Sequence, residues 1–192
     1  MDVIEVQRQQ QRAAKQILAD LNLVELWSQF ARPSVVGAMS YGLMVAPDID
    51  MEILYAGEPP IDAAFAVMAA CAKQSAVRRI RFSNHLDDAD EGMYWQLRID
   101  TGGQAWKADM WLLREDHPGP LSGWLTAPMS RAVTDETRRA ILTIKHAEIE
   151  NPERCGSIHV YRAVLQDGVR TPVEFKRWRA SHDTTALTSW LP

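Results

Sequence analysis

Residues 36–52 read VGAMSYGLMVAPDIDME, and this stretch decides the fold. A short apolar strand is expected to end in the small residues that begin at Gly37, and a second strand opens at Asp48 after a short connection. Because side chains alternate faces along a strand, Asp48 and Asp50 lie on one face while Ile49 and Met51 point into a core. Two like charges on neighbouring same-face positions cost stability unless a cation lies between them. The pair therefore predicts a divalent metal site.

The small residues before the acidic pair point to a phosphate. Gly37, Ala38 and Ser40 leave room for a backbone that must come close to a ligand. Successive backbone N–H groups in such a turn form a concave site for anions. A metal site directly after a phosphate-binding turn predicts metal-assisted chemistry on a nucleotide.

Asp109 is the third acidic candidate. It lies in residues 106–113 (WKADMWLL), and it is the only acid in the apolar run from Ala108 to Leu113. A carboxylate in such a strand needs a partner to offset its desolvation. Two partners remain open: an arginine of the strand that carries Arg78, Arg79 and Arg81, or the metal that Asp48 and Asp50 would hold.

This combination resembles the polymerase-beta-type nucleotidyltransferase superfamily over about residues 33–113. The family pattern is an apolar residue and a glycine, here Gly37, then a paired acid bracketed by apolar residues, here Asp48 and Asp50. A third acid follows on a later strand, here Asp109. The stretch is particularly similar to small bacterial members, including those that modify antibiotics.

The resemblance implies an α+β fold. We expect a nucleotidyltransferase-like mixed sheet of about five strands flanked by helices, with a helical C-terminal part. It also implies a transferase that moves a nucleoside monophosphate from an NTP such as ATP to an acceptor, with two Mg²⁺ ions. Asp48, Asp50 and Asp109 would be the catalytic metal ligands, and the 37–40 turn (Gly37, Ala38, Ser40) would bind the triphosphate.

Three points keep alternatives open. Ala38 stands where the family has glycine or serine, although Ser40 could supply the hydroxyl group. Asp50 and Glu52 also fit the paired-acid pattern; we prefer Asp48 and Asp50 because the first follows the Pro47 turn directly. The alternatives to an active enzyme are a catalytically degenerate domain that binds a nucleotide or a protein partner, and a purely structural pairing of the acids with the arginines.

Composition restricts the partners. The chain has 192 residues, 46% of them hydrophobic, and a formal net charge of −4, which argues against broad, charge-driven nucleic-acid binding but not against a local basic patch. We therefore expect a small-molecule acceptor rather than a nucleic acid. The N-terminus does not resemble a signal peptide, no apolar run is long enough to cross a membrane, and Cys71 and Cys155 are expected to be reduced thiols. These features predict a soluble cytoplasmic protein.

Periodicity and turn residues predict the remaining elements. A nucleotidyltransferase-like part, 1–120, would precede a helical part, 121–192. Lys145 and Glu148 are expected on a solvated helix face, and so is the basic cluster at 176–179. The expected helices cover 5–30, 134–150, 157–165 and 172–180; the first is closed by Pro33, and a further helix begins near Asp62. The expected strands cover 35–37, 49–55, 77–82, 93–99 and 106–113. A hairpin turn is expected at 100–103.

Overall fold

The structure is a computed structural model that describes residues 2–185 and 190–192. Residues 1 and 186–189, which belong to the two predicted parts, lie outside the described residues. The strands are β1 (Arg32–Val36), β2 (Asp48–Tyr55), β3 (Val77–His85), β4 (Gly92–Thr101) and β5 (Gln104–Arg114). The α-helices are α1 (Val3–Asp20), α2 (Leu23–Ser28), α3 (Gly37–Tyr41), α4 (Ile61–Ala72), α5 (Thr126–Ala132), α6 (Asp135–Ala147), α7 (Ser157–Leu165) and α8 (Pro172–Ala180), and a 3₁₀ helix covers Ser122–Leu125.

The five strands form one mixed sheet in the order β1-β2-β5-β4-β3. Only β2 and β5 pair in parallel; the other neighbours are antiparallel. The predicted mixed sheet of about five strands flanked by helices is thus confirmed. The β2–β5 pairing matters most for the site, because it brings two distant acidic strands together.

One face of the sheet is the main hydrophobic core. The inward residues of the central strands pack against α1, α2 and α4, and the pattern of β4 follows the predicted alternation of buried and solvent-side residues. Trp27 of α2 contacts Trp95 of β4 edge-on, with ring centroids 5.8 Å apart. The opposite face carries Asp48 and Asp50 of β2 and Asp109 of β5.

A second hydrophobic cluster joins the two predicted parts. Tyr41, Leu43 and Val45, between α3 and β2, are buried among side chains of α5, α6, α7 and α8. The division at residue 120 stays a prediction, but this shared core explains why the C-terminal helices lie over the end of β2 that carries Asp48 and Asp50.

The N-terminal region differs from the expected single helix over 5–30. Asn22 adopts a left-handed conformation (φ 51°) that separates α1 from α2. Asparagine tolerates this conformation better than most residues, which is why the break falls there. Pro33, expected to end the helix, lies inside β1 instead; β1 is an edge strand, where a missing N–H can face away from the sheet.

The later elements agree with the expectations more closely. The predicted helices 157–165 and 172–180 are confirmed as α7 and α8, and the hairpin turn joins β4 to β5. β3 runs on to His85, and α6 ends at Ala147 rather than near 150. Among the described residues, none of the helices combines the length and the hydropathy needed to span a bilayer.

Candidate active site

Three carboxylates meet on the polar face of the sheet. Asp50 and Asp109 are direct neighbours in the parallel β2–β5 register, and Asp48 lies two residues before Asp50 on the same face. One carboxylate oxygen from each of the three lies within 4.8 Å of the other two. The structure therefore brings together the three acids that the sequence singled out.

The set suits a divalent cation of the Mg²⁺ type, which takes carboxylate oxygen ligands. Asp48 Oδ1 is buried and has no hydrogen-bond partner among the described residues, so a cation at this position would satisfy it. The donor set and the orphaned oxygen both fit the metal that the resemblance implies.

Asp109 is held by neighbours on its own side of the sheet. The Tyr94 hydroxyl and Gln96 Nε2 donate to Asp109 Oδ1 at 2.6 and 2.9 Å. Lys107 Nζ lies 2.6 Å from Asp109 Oδ2 and 3.0 Å from Asp48 Oδ2. The expected arginine alternative is wrong, because β4 separates the arginine-bearing β3 from β5.

Burial raises the pKa of both β2 acids, Asp48 and Asp50. Burial, followed by the charge of Asp48, raises the pKa of Asp50 to about 7. Burial also raises the pKa of Asp48, although the charge of Lys107 opposes this. For Lys107, burial works against the charged form, but the contacts with Asp109 and Asp48 outweigh it and raise the pKa. The metal-free cluster is thus held together by a lysine and by partial protonation.

Gly37 begins α3 directly beside the acids. Its φ is +64°, and a Cβ built there would lie only 2.5 Å from Asp50 Oδ2. Both observations require glycine, since other residues rarely adopt this conformation and a side chain would displace the carboxylate. The close approach in the structure is between the turn and Asp50; the approach to a phosphate that the sequence suggested stays a prediction.

The other two turn residues differ in their roles. Ala38 lines a cleft next to the acids. The Ser40 hydroxyl donates to the backbone oxygen of Gly37 at 2.8 Å, so it is engaged within α3. It remains a prediction that the Ser40 hydroxyl takes the place of the family's serine in binding the triphosphate. For this, the hydrogen bond from Ser40 to the Gly37 oxygen would have to break.

The cleft has a volume of about 370 Å³ and lies between the acids and the C-terminal helices. The α3 turn and the two β2 acids form one wall, while α6, α7 and the segment before α7 form the other. The lining includes Gly37, Ala38, Asp48, Asp50, Lys145, Glu148, Arg154, Ser157 and Tyr161. A concave site with apolar walls and a few polar groups suits a small ligand.

Lys145 was missed by the sequence reasoning, which placed it on a solvated face. It reaches into the cleft, where its Nζ donates to Leu43 O at 2.8 Å and to the Tyr161 hydroxyl at 3.2 Å. Burial lowers its pKa to about 8, against the opposing effect of Asp50 and Asp48. Glu148 is equally engaged, in an ion pair with Arg179 at 3.2 Å. No local pattern distinguished these residues from a solvated face.

Glu52, the alternative second acid, serves another purpose. Its carboxylate accepts backbone N–H groups of Ser122 (2.5 Å) and Gly123 (2.9 Å), at the start of the 3₁₀ helix. Burial raises its pKa, although the two backbone bonds oppose the shift. Glu52 therefore holds the segment after β5 against the sheet, and Asp48 with Asp50 is the pair that faces the cleft.

Gly37→Ala should weaken nucleotide binding in addition to lowering the free energy of unfolding. Gly57→Ala is a matched control, because Gly57 also has a positive φ (+73°) but nothing lies within 4 Å of a Cβ there. Both variants should lose about 1 kcal/mol of unfolding free energy from the backbone. Only Gly37→Ala should also weaken nucleotide binding, because it pushes Asp50 away. Calorimetric melting and nucleotide titration measure the two effects; equal nucleotide affinity in both variants would contradict the close approach.

Among the comparisons with known proteins, only those with solved structures find similarity to this chain. No protein-family model and no curated protein sequence matches the chain. A cytoplasmic RNA terminal U-transferase superposes with a TM-score of 0.58 at 15% identity, over 81% of this chain and 45% of the other. The non-canonical poly(A) polymerase GLD-2, in complex with GLD-3, superposes with a TM-score of 0.55 at 10% identity, over 98% of this chain and 71% of the other.

A third solved structure comes from bacteria. The STING-associated CdnE c-di-GMP synthase from Capnocytophaga granulosa superposes with a TM-score of 0.53 at 7% identity, over 85% of this chain and 62% of that enzyme. This chain spans about half the length of the U-transferase. All three are nucleotide-transferring or nucleotide-joining enzymes by description. The chain therefore shares its fold with these enzymes.

Proposed function

We propose that the protein is a Mg²⁺-dependent nucleotidyltransferase that moves a nucleoside monophosphate from an NTP to an acceptor hydroxyl. The observation that carries the proposal is the meeting of Asp48, Asp50 and Asp109 within 4.8 Å, beside a glycine turn and along one wall of a cleft. The shared fold also supports the proposal, since the structural neighbours include a terminal U-transferase and a c-di-GMP synthase by description.

The residues divide into a nucleotide side and an acceptor side. The triphosphate would lie in the 370 Å³ cleft, over the N–H groups at the start of α3 and near Lys145. Asp48 and Asp50 face this cleft and would hold Mg²⁺ with Asp109. A bound divalent metal stabilises the leaving pyrophosphate and activates the attacking oxygen.

Asp109 lies toward a second groove, of about 440 Å³, that Tyr94, Trp111 and Gly37 also line. An acceptor hydroxyl there would attack the α-phosphorus, the bond to the bridging oxygen would break, and pyrophosphate would leave. In this proposal Asp109 would accept the hydroxyl proton, and the hydrogen bonds from Tyr94 and Gln96 would fix its carboxylate.

The neighbours divide on the expected preference for a small-molecule acceptor, since one of them is described as a c-di-GMP synthase. Two are described as a terminal U-transferase of RNA and a poly(A) polymerase. We therefore place RNA and nucleotides ahead of antibiotics as acceptor candidates.

The degenerate alternative is favoured by one observation. Lys107 Nζ forms ion pairs with two of the three acids, so an internal cation already offsets part of the negative charge of the cluster. Lys107→Met separates the possibilities, because removal of a competing cation should raise divalent metal affinity, by about tenfold, and lower metal-free stability. Lys15→Met, on the exposed face of α1, is the control. Mn²⁺ titration measures the affinity; unchanged affinity would show that metal and lysine do not share this site.

The activity test uses α-³²P-labelled NTPs, Mg²⁺, and a panel of acceptors that includes an RNA oligonucleotide, mononucleotides and aminoglycosides. We expect a labelled acceptor together with an equal amount of pyrophosphate, both dependent on Mg²⁺. Saturable Mg²⁺–NTP binding without pyrophosphate release with any acceptor would favour the degenerate alternative.

A further inference from the structure

The charge of the side chains on the polar face of the sheet changes from negative to positive between its strands. On β2 and β5 this face carries the three acids, but on β3 and β4 the same face carries Arg79, Arg81 and Arg98, all exposed. None of the three arginines forms an ion pair among the described residues, whereas Arg78 pairs with Asp100 at 3.3 Å. We call Arg79, Arg81 and Arg98 the arginine track.

The register places these positive charges against one another. Arg79 is opposite Arg98 in the β3–β4 pairing, and Arg98 is opposite Lys107 in the β4–β5 pairing. Directly opposed like charges destabilise a sheet. The argument that predicted a cation between Asp48 and Asp50 therefore predicts an anion across the arginine track. A net charge of −4 for the whole chain makes the track a local feature.

Aromatic side chains adjoin the track beside the third acid. Tyr94 and Trp111 are cross-strand partners with ring centroids 5.0 Å apart, and the His85 ring lies 5.5 Å from Trp111. All three are half-buried, and Tyr94 and Trp111 line the 440 Å³ groove that also contains Asp109. The groove itself is acidic, since Asp50 and Glu52 line it together with Asp109, and the positive charge lies beside it on the arginine track. Aromatic stacking platforms next to a row of positive charges are the usual design of a surface for single-stranded nucleic acid.

We propose that this face binds the 3′ end of a single-stranded RNA acceptor, with its last base on Trp111 and its phosphates on the arginine track. The inference rests on the proposed function for its reactive end, since it places the terminal hydroxyl at Asp109. Arg81 is opposite Gln96, which is opposite Asp109, so two strand spacings, about 10 Å, separate Arg81 from the acid. The Ser83 hydroxyl, on the same face beside Tyr94, is available to a ribose 2′ hydroxyl.

The test is binding of a fluorescein-labelled 15-nucleotide RNA to the full chain, followed by fluorescence anisotropy over a range of salt concentrations. The variant is Arg79→Gln/Arg81→Gln/Arg98→Gln. The control is Arg8→Gln/Arg12→Gln/Lys15→Gln, which removes the same charge from exposed positions of α1, on the other side of the sheet. Thermal melts establish that both variants are folded.

Loss of the track should weaken RNA binding at least about tenfold at low salt and reduce the slope of log K against log salt by about 2, since each phosphate contact on a single strand contributes about 0.7. Trp111→Leu should weaken binding at least about fivefold with the slope unchanged. The control should change neither quantity to this extent. Equal losses in both triple variants, or no RNA binding by the wild type at low salt, would overturn the inference. Tighter binding of DNA of the same sequence would overturn the assignment to RNA.

The two proposals fail separately. A wild type that releases pyrophosphate with a mononucleotide acceptor, but binds no RNA, overturns this inference and leaves the proposed function standing. A wild type that binds RNA through the arginine track, but releases no pyrophosphate with any acceptor, supports the surface and contradicts the proposed function.

Discussion

Asp50→Asn and Asp109→Asn should each reduce nucleotidyl transfer at least about 10³-fold. The loss of a metal ligand removes several kcal/mol of transition-state stabilisation, and each 1.36 kcal/mol is a factor of ten in rate. The two residues are adjacent in the β2–β5 register and contribute to one cluster. The double variant should therefore be little slower than either single variant, because residues that act as a unit do not show additive effects.

The control for this result is Asp62→Asn, since Asp62 is an exposed acid on α4. Its transfer rate should match the wild type. Initial rates of pyrophosphate release are measured for the wild type and for the four variants. Full activity in Asp109→Asn would remove Asp109 from the reaction, and strictly multiplicative losses would mean that the two acids act at separate places.

Asp50→Asn should also stabilise the metal-free protein, and more so as the pH rises. The folded-state pKa of Asp50 is about 7, raised from 3.8 first by burial and then by the charge of Asp48. The folded state therefore binds more protons than the unfolded state, and stability falls as the pH rises from about 4 to about 7. At pH 8 the ionised carboxylate costs on the order of 4 kcal/mol, which asparagine avoids.

Calorimetric melts between pH 5 and pH 8 in EDTA test this second prediction. The melting temperature of Asp50→Asn should exceed that of the wild type by on the order of 10 °C at pH 8, and the difference should shrink toward pH 5. Saturating Mg²⁺ at pH 8 should stabilise the wild type more than the variant, because metal binding requires the ionised carboxylate. A difference that does not change with pH would show that Asp50 ionises as an ordinary exposed acid.

The sheet and its acids were predictable because both depend on short-range patterns. Alternation along a strand placed Asp48 and Asp50 on one face and isolated Asp109 in an apolar run. The structure adds what no local pattern contains, which is that β5 lies in parallel beside β2 and makes Asp50 and Asp109 direct neighbours. The hairpin between β4 and β5 suggested only that β5 pairs with β4.

The opposite wall of the cleft was not predictable from local patterns. Lys145 lies on an amphipathic helix whose sequence is equally compatible with a solvated lysine, and it reaches the cleft because α6 packs against Leu43. The role of Glu52 depends in the same way on a contact with Ser122, which is distant in the sequence. The arginines of β3 were noticed, but only the strand order shows that β4 separates them from Asp109 and leaves them exposed.

The most direct measurement is a titration of Mn²⁺ into the protein with a nonhydrolysable NTP analogue, with free Mn²⁺ followed by electron paramagnetic resonance. The central claim is that Asp48, Asp50 and Asp109 form one metal–nucleotide site. The account predicts saturable binding in the wild type that is lost in Asp48→Asn, Asp50→Asn and Asp109→Asn and kept in Asp62→Asn. Absence of binding in the wild type, or retention of the same binding in all three variants of the cluster, would contradict it.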